Sequence, residues 1–132
     1  MHVFLRVSLV CVMVTFWGFG SSEAQDGLTK RNAQGPVTVV VTLMNPQAPG
    51  DPVKVKVVLD THSENLDGLK LEEIVILRLP DGVGASPVGV EQASGSGHHR
   101  EAVLIFKSVP GTAGLTIVVK NVGGVAERAF TW

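Results

Sequence analysis

Three histidines beyond the first two dozen residues are the side chains of this chain best suited to chemistry. His62 stands two positions after Asp60, and His98 and His99 are adjacent. Imidazole and carboxylate groups are the ligands that suit copper and zinc where no thiolate is present. His62, His98, His99 and Asp60 are therefore candidate ligands of a transition metal. The sequence requires no cofactor, and copper or zinc is what these residues could hold.

Polar neighbours accompany the candidate ligands at four further positions: Ser63, Arg100, Glu127 and Arg128. Ser63, His62 and Asp60 are the residue types of a hydrolase triad, but residues so close in sequence cannot form its geometry, for which separate loops supply base and nucleophile. The chain has no nucleophile elbow, zinc-protease motif or phosphate-binding loop. We therefore expect a protein that is not an enzyme.

The same polar residues have two other interpretations. A carboxylate or an imidazole at a strand end can order a loop by binding backbone groups, and Arg128 can pair with Glu127 or Asp60. They can also form a surface for a protein partner. In extended backbone, His98 and His99 point to opposite sides, which weakens a site of three histidines. A binding module that holds a metal through its loop histidines and a structural or protein-interaction module of the cell envelope without a metal both remain open.

Short predicted strands carry these loops. Valine alternates with polar residues in 37–43 and 53–60, which is the pattern of half-buried strands. The other predicted strands are 73–79, 86–91, 101–107, 115–121 and 128–132. About seven strands, separated by proline and glycine turns and without a sustained helical period, predict an all-β fold, an immunoglobulin-like antiparallel β-sandwich. The expected core residues are Val39, Val55, Val57, Leu59, Ile76, Leu104, Phe106, Ile117 and Val119.

Strand parity places the candidate residues at one end of this sandwich. In a run of antiparallel strands, the loops after the second, fourth and sixth strands leave from the same end. Those loops contain residues 60–63, 97–100 and 123–128, and we call the end that they form the rim. The loops predicted at the opposite end hold prolines and glycines but no histidine.

An export signal is predicted over residues 1–24. Arg6 precedes an apolar run over 7–19, and the small residues Ser22 and Ala24 have the spacing that signal peptidase recognises. The run is short for a membrane span, and polar residues follow it. We therefore expect cleavage after Ala24, a periplasmic or extracellular protein, and no membrane span after cleavage.

The remaining chain divides into a flexible N-terminal segment over 25–35 and the sandwich domain over 36–132. The single cysteine, Cys11, lies within the predicted signal, so we expect no disulfide and no thiolate site in the exported protein. The 11 basic and 12 acidic residues nearly balance, and no basic stripe suggests nucleic acid. The expected partner is an envelope protein or a metal ion.

In combination, three motifs resemble a group of small exported bacterial and archaeal domains. They are LDTHS at 59–63, GHHR at 97–100 and GVxERxFxW at 124–132, and the similarity covers about residues 37–132. Ala126 stands where that group has proline. The resemblance implies export and the extent of the sandwich domain, and it implies no activity.

Overall fold

A computed structural model describes residues 28–44 and 50–132. The predicted signal peptide over 1–24 and its cleavage position lie outside the described residues. Within them, the chain forms strands joined by turns and one helical turn. The elements are β1 Thr29–Asn32, β2 Val37–Leu43, β3 Val53–Thr61, α1 Leu71–Ile74, β4 Val75–Arg78, β5 Gly84–Ala85, β6 Gly89–Ser96, β7 His99–Phe106, β8 Thr116–Val122 and β9 Val125–Thr131.

The strands form two antiparallel sheets. The five-stranded sheet has the order β1-β2-β3-β7-β6, and the four-stranded sheet has the order β5-β4-β8-β9. Apart from β1, the first order corresponds to strands A-B-E-D of an immunoglobulin domain, and the second corresponds to C-F-G with an added edge strand. The predicted all-β, immunoglobulin-like sandwich is therefore confirmed.

The core follows from the alternation of valines. In β2 and β3, every second side chain is buried, and these side chains join those of β4, β7 and β8 in one apolar cluster between the sheets. Every predicted core residue is buried except Ile76. Ile76 was assigned to the wrong face: it lies half-buried on the outside, while Val75 and Leu77 point inward. The run Ile74 to Leu77 is apolar throughout, so its sequence gave no alternation from which to choose a face.

Two other elements differ from the sequence prediction. The segment 25–35, expected to be flexible, contains β1, which pairs with β2 and is fixed by a hydrogen bond of 2.9 Å between the hydroxyls of Thr29 and Thr42. The glycine-rich stretch around Gly95 continues β6 instead of forming a loop. A bulge at Gln92, with a φ of 51°, shifts the register and lets pairing with β7 resume.

The first and last described residues meet at the end opposite the rim. The indole of Trp132 donates a hydrogen bond of 3.2 Å to the carbonyl of Leu28, and the ammonium of Lys30 lies 5.8 Å from the centre of the Trp132 ring. The Leu28 carbonyl also accepts from the backbone of Leu43, at the end of β2. β1 is thus held both by its neighbour in the sheet and by the last aromatic side chain.

No helix within residues 28–44 and 50–132 is long and apolar enough to cross a membrane.

Candidate functional site

Hydrogen bonds and strand pairing place the three rim loops at one end of the sandwich, as strand parity predicts. The backbone N–H of Thr61, at the end of β3, donates to the carbonyl of His98 in the turn between β6 and β7. The guanidinium of Arg128 donates to the carbonyls of Val37, where β2 begins, and Val122, where β8 ends. The ends of β3, β6 and β8 therefore lie at one end of the sandwich.

Asp60 and His99 form the closest contact between candidate residues. They are direct neighbours on β3 and β7, and Nδ1 of His99 lies 2.5 Å from Oδ1 of Asp60. Nε2 of His99 lies 3.5 Å from Oε2 of Glu101. Both ring nitrogens thus face carboxylates, and we call Asp60, His99 and Glu101 the His99 cluster. It lies on the outer, solvent-facing side of the five-stranded sheet.

The His99 cluster favours a protonated imidazole. The hydrogen bond to Asp60 raises the pKa of His99 above its ordinary value of 6.5, partial desolvation opposes this, and the charges of Asp60 and Glu101 add to the rise. A carboxylate on each side stabilises the imidazolium more than the neutral ring. Since the His99 side chain is half exposed, water screens these interactions.

Glu101 was missed by the sequence analysis, although the alternation of a strand contains the signal. It lies two residues after His99 and therefore on the same face of β7. Its carboxylate accepts from the hydroxyl of Ser94 at 3.3 Å and lies 3.7 Å from the ammonium of Lys56. The cluster thus continues as a row of alternating charges across β3 and β7, and Ser94 of β6 adds a hydroxyl beside it.

His62 and His98 are exposed and do not join the His99 cluster. His98 lies in the two-residue turn between β6 and β7. His62 lines a depression beside the rim and forms no hydrogen bond or ion pair within the described residues. Among the same residues, no group of three or more histidine, cysteine, aspartate or glutamate side chains is arranged to hold a metal ion. Of the four candidate ligands, only Asp60 and His99 form a direct side-chain contact within these residues.

Arg100 fixes the loop that follows β3. Its guanidinium donates to the carbonyls of Leu66 at 2.8 Å and Asp67 at 3.2 Å. The carboxylate of Asp67 accepts from the backbone of Gly97 at 2.7 Å, and the backbone of Leu66 donates to the Gly97 carbonyl at 2.8 Å. Arg100 is therefore engaged in ordering the loop, as one of the open interpretations proposes.

The start of the same loop is fixed by a threonine. The Thr61 hydroxyl donates to the carbonyl of Pro36 at 2.9 Å and accepts from the backbone N–H groups of Ser63 and Glu64, each at 3.2 Å. Ser63 takes part in this turn through its backbone, and its side chain is exposed. Thr61 thus explains the sharp change of direction at the end of β3.

Arg128 was assigned to the polar cluster of the rim, and the structure buries it there. Its side chain is 1% exposed, because alternation with Phe130 on β9 turns it toward the interior. The guanidinium donates to the Val37 carbonyl at 2.7 Å, the Asn32 side-chain oxygen at 3.1 Å and the Val122 carbonyl at 3.1 Å, while Nε has no partner within the described residues. Burial lowers the pKa of Arg128, although arginine remains charged.

The pairing of Arg128 with Glu127 or Asp60, which the sequence allows, does not form among the described residues. Glu127 points to the outer face of the four-stranded sheet, where its carboxylate lies 3.8 Å from the guanidinium of Arg78. Asp60 contacts His99 on the other sheet. The polar residues predicted at the rim therefore divide among two outer faces, the loop after β3 and the interior.

Comparison with models of protein families, with curated proteins and with solved structures finds no match for this chain.

Proposed function

We propose that this domain is an exported, non-enzymatic module of the cell envelope that binds a protein partner through its rim and holds no metal. The proposal rests on a difference between two sets of side chains at the rim. Arg100, Arg128 and Thr61 are engaged in fixing the loops, whereas His62 and His98 are exposed on the backbone that those bonds hold. Function in sandwich domains often lies on loops that a rigid scaffold positions.

A preorganised surface favours binding for an energetic reason. Ordering loops and side chains on association opposes binding by about 0.5–1.5 kcal/mol for each immobilised side chain. At the rim, bonds of the folded domain already fix the loop backbone, including the contact between Thr61 and His98. A partner would therefore meet exposed polar side chains whose backbone positions are set in advance.

The partner proposal can be tested by site-specific photocrosslinking in the cells that export the protein. A photoreactive residue at position 98 should give a discrete adduct, and one at Thr131, on the outer face of the other sheet at the opposite end, should not. An excess of purified wild-type protein should suppress the adduct, whereas the double variant His62→Ala, His98→Ala should not. Equal adducts at both positions, or equal competition by the variant, would contradict a rim-specific partner.

A second candidate is a copper or zinc site at Nε2 of His99. The observation that favours it is the hydrogen bond in which Asp60 accepts from Nδ1 of His99, since carboxylates commonly orient metal-binding histidines in this way. Glu101 would be the second ligand. We rank this candidate lower for two reasons. Zinc sites commonly take three or more protein ligands. The two carboxylates also stabilise the protonated ring, and the proton on Nε2 competes with a metal.

Thermal melting separates the two candidates. The protein would be melted with and without copper(II) and zinc(II), at about pH 7.5 and about pH 5.5. A metal site requires a rise in melting temperature at the higher pH that shrinks at the lower pH, is lost in His99→Ala and is kept in His98→Ala. The metal-free module predicts no shift that depends on His99. A His99-dependent shift would therefore overturn the leading proposal.

A further inference from the structure

A depression of about 330 Å³ lies beside the rim, on the outer face of the five-stranded sheet. Three segments form it: β1, the start of β2, and the end of β3 with the first residue of its loop. Its lining residues are Arg31, Pro36, Thr38, Val40, Asp60, Thr61 and His62. The polar groups at its surface thus come from separate parts of the chain and converge on one place.

Arg31 differs from the other arginines of the described residues. Arg78 pairs with Glu127, Arg100 binds the loop after β3, and Arg128 is buried. Arg31 forms no hydrogen bond or ion pair within residues 28–44 and 50–132, and it is exposed. Its strand is nevertheless fixed, because the next residue, Asn32, accepts from Arg128. The position of its backbone is therefore set, while its guanidinium has no acceptor among the residues that the structure describes.

The charges around the depression leave Arg31 uncompensated. Asp60 is the acidic residue that lines it, and that carboxylate lies 2.5 Å from the imidazole of His99. Glu101, next in the row, lies within reach of both His99 and Lys56. His62 and the hydroxyl of Thr38 add hydrogen-bond donors. The local balance thus favours a small anion with a single charge, since a second charge would meet Asp60 with only one guanidinium to offset it.

We propose that this depression binds one carboxylate group, with the guanidinium of Arg31 on its two oxygens and His62 or Thr38 as a further donor. Arginine suits this task because its planar fork matches the two oxygens of a carboxylate. The carboxylate can belong to an acidic side chain of the protein partner or to a free small acid. The first source rests on the proposed function, and the second does not.

The proposal is tested by nuclear magnetic resonance on histidine-labelled protein, with acetate as the probe and chloride at matched ionic strength as the reference. The ring signals of His62 should shift saturably with acetate, while those of His98, an equally exposed histidine outside the depression, should not. Arg31→Gln should weaken binding about tenfold or more. Arg78→Gln, a matched variant on the other sheet, should leave it unchanged.

Three outcomes would overturn the carboxylate site: equal responses of His62 and His98, a response that does not saturate, or an Arg31→Gln protein that binds like the wild type. A short peptide with one glutamate, compared with acetate, separates the two sources, because tighter binding of the peptide indicates a protein partner. Loss of the acetate response with the position 98 crosslink intact would reject this site alone. An intact acetate response without the position 98 crosslink would leave a site for a free acid and reject the protein partner.

Discussion

The two sides of the sandwich, where the edges of its sheets come together, are built in opposite ways. On the side of β1 and β9, the Arg128 guanidinium bonds to Asn32, and the Trp132 indole bonds to the backbone of Leu28. On the side of β5 and β6, no comparable side-chain bond joins the sheets within the described residues. Side chains thus close the first side, while the second exposes apolar surface.

Strand length explains the exposed surface. Val90 of β6 pairs with the buried Leu104 and therefore faces the interior, yet it is 40% exposed. The nearest strand of the other sheet, β5, is two residues long and does not cover it. Val83 and Val88 nearby are 58% and 59% exposed. Side-chain bonds thus close this immunoglobulin-like sandwich on one side alone, and a bulge in β6 interrupts the edge of the open side.

Arg128→Ala should have the largest effect, because it removes the bonds that close the β1 and β9 side. The carbonyls of Val37 and Val122 lose a donor in a buried place, and a cavity replaces a large side chain. We expect a loss of about 2–4 kcal/mol in the free energy of unfolding, measured in urea. Arg78→Ala, which removes an exposed ion pair, should lose less than about 1 kcal/mol. Similar losses for the two variants would mean that Arg128 does not close this side.

Gly95→Ala tests the backbone of the open side. Gly95 has a φ of 87°, and a Cβ there would clash with the carbonyl oxygen of His99, so the hairpin of β6 and β7 would have to shift. We expect a loss of about 2 kcal/mol or more in the free energy of unfolding.

Gly97→Ala is the matched control: its φ is also positive, at 64°, but its Cβ would meet no atom within 4 Å. A loss of about 1 kcal/mol is expected there. Equal losses would show that the close approach at Gly95 is absent in solution.

Asp60→Asn should change the rim, which lies between the two sides. Its main effect should be to make protonation of His99 less favourable. The pKa of His99 should fall toward its ordinary value, which a titration of its ring proton signals would measure against those of His98. Because the folded pKa of His99 is raised, its stabilising contribution is fully present below about pH 6.5 and is lost as the pH rises through the folded pKa. That contribution should stay below about 1 kcal/mol, since the pair is exposed. An unchanged His99 titration in the variant would contradict the contact.

The smallest effect is expected for the double variant Val88→Thr, Val90→Thr on the open side. Val88 is 59% exposed and Val90 is 40% exposed, so a hydroxyl in place of a methyl group remains hydrated and should change the free energy of unfolding by less than about 0.5 kcal/mol. Val37→Thr, at a fully buried position near Arg128, should lose about 1–3 kcal/mol. A comparable loss from the double variant would mean that something covers these valines in solution.

Local alternation was enough to predict most of the fold, because the valines of β2 and β3 occupy every second position. The same alternation, continued further, would have corrected two site assignments. Arg128 stands two residues before Phe130, so both must face the interior, and Glu101 shares a face with His99 for the same reason. The rim was predicted from strand parity alone. What parity cannot supply is the direction of a side chain within a turn, which is why His62 and His98 were grouped with His99.

β1 could not be predicted from local pattern. Its sequence, TKRN, has no apolar alternation, and its stability comes from residues far along the chain. Thr42 pairs with its first residue, and Arg128 binds its last. A contact between residues that are about a hundred positions apart cannot be recognised from the pattern of about ten neighbouring residues. The polar residues of β1 were therefore assigned to a flexible segment, although Arg31 among them lines the proposed carboxylate site.

The bond between the Trp132 indole and the Leu28 carbonyl also has a consequence for protein engineering. Since these residues lie together at the end opposite the rim, a fluorophore, bead or fusion partner attached through either would leave the opposite pole unobstructed. In a chain trimmed to residues 28–132, a short linker between them would close the backbone into a ring. Such a circular permutant could then be opened at Pro110-Gly111, in an exposed loop on the same pole, to give a scaffold that displays the His62 and His98 turns with no chain end nearby.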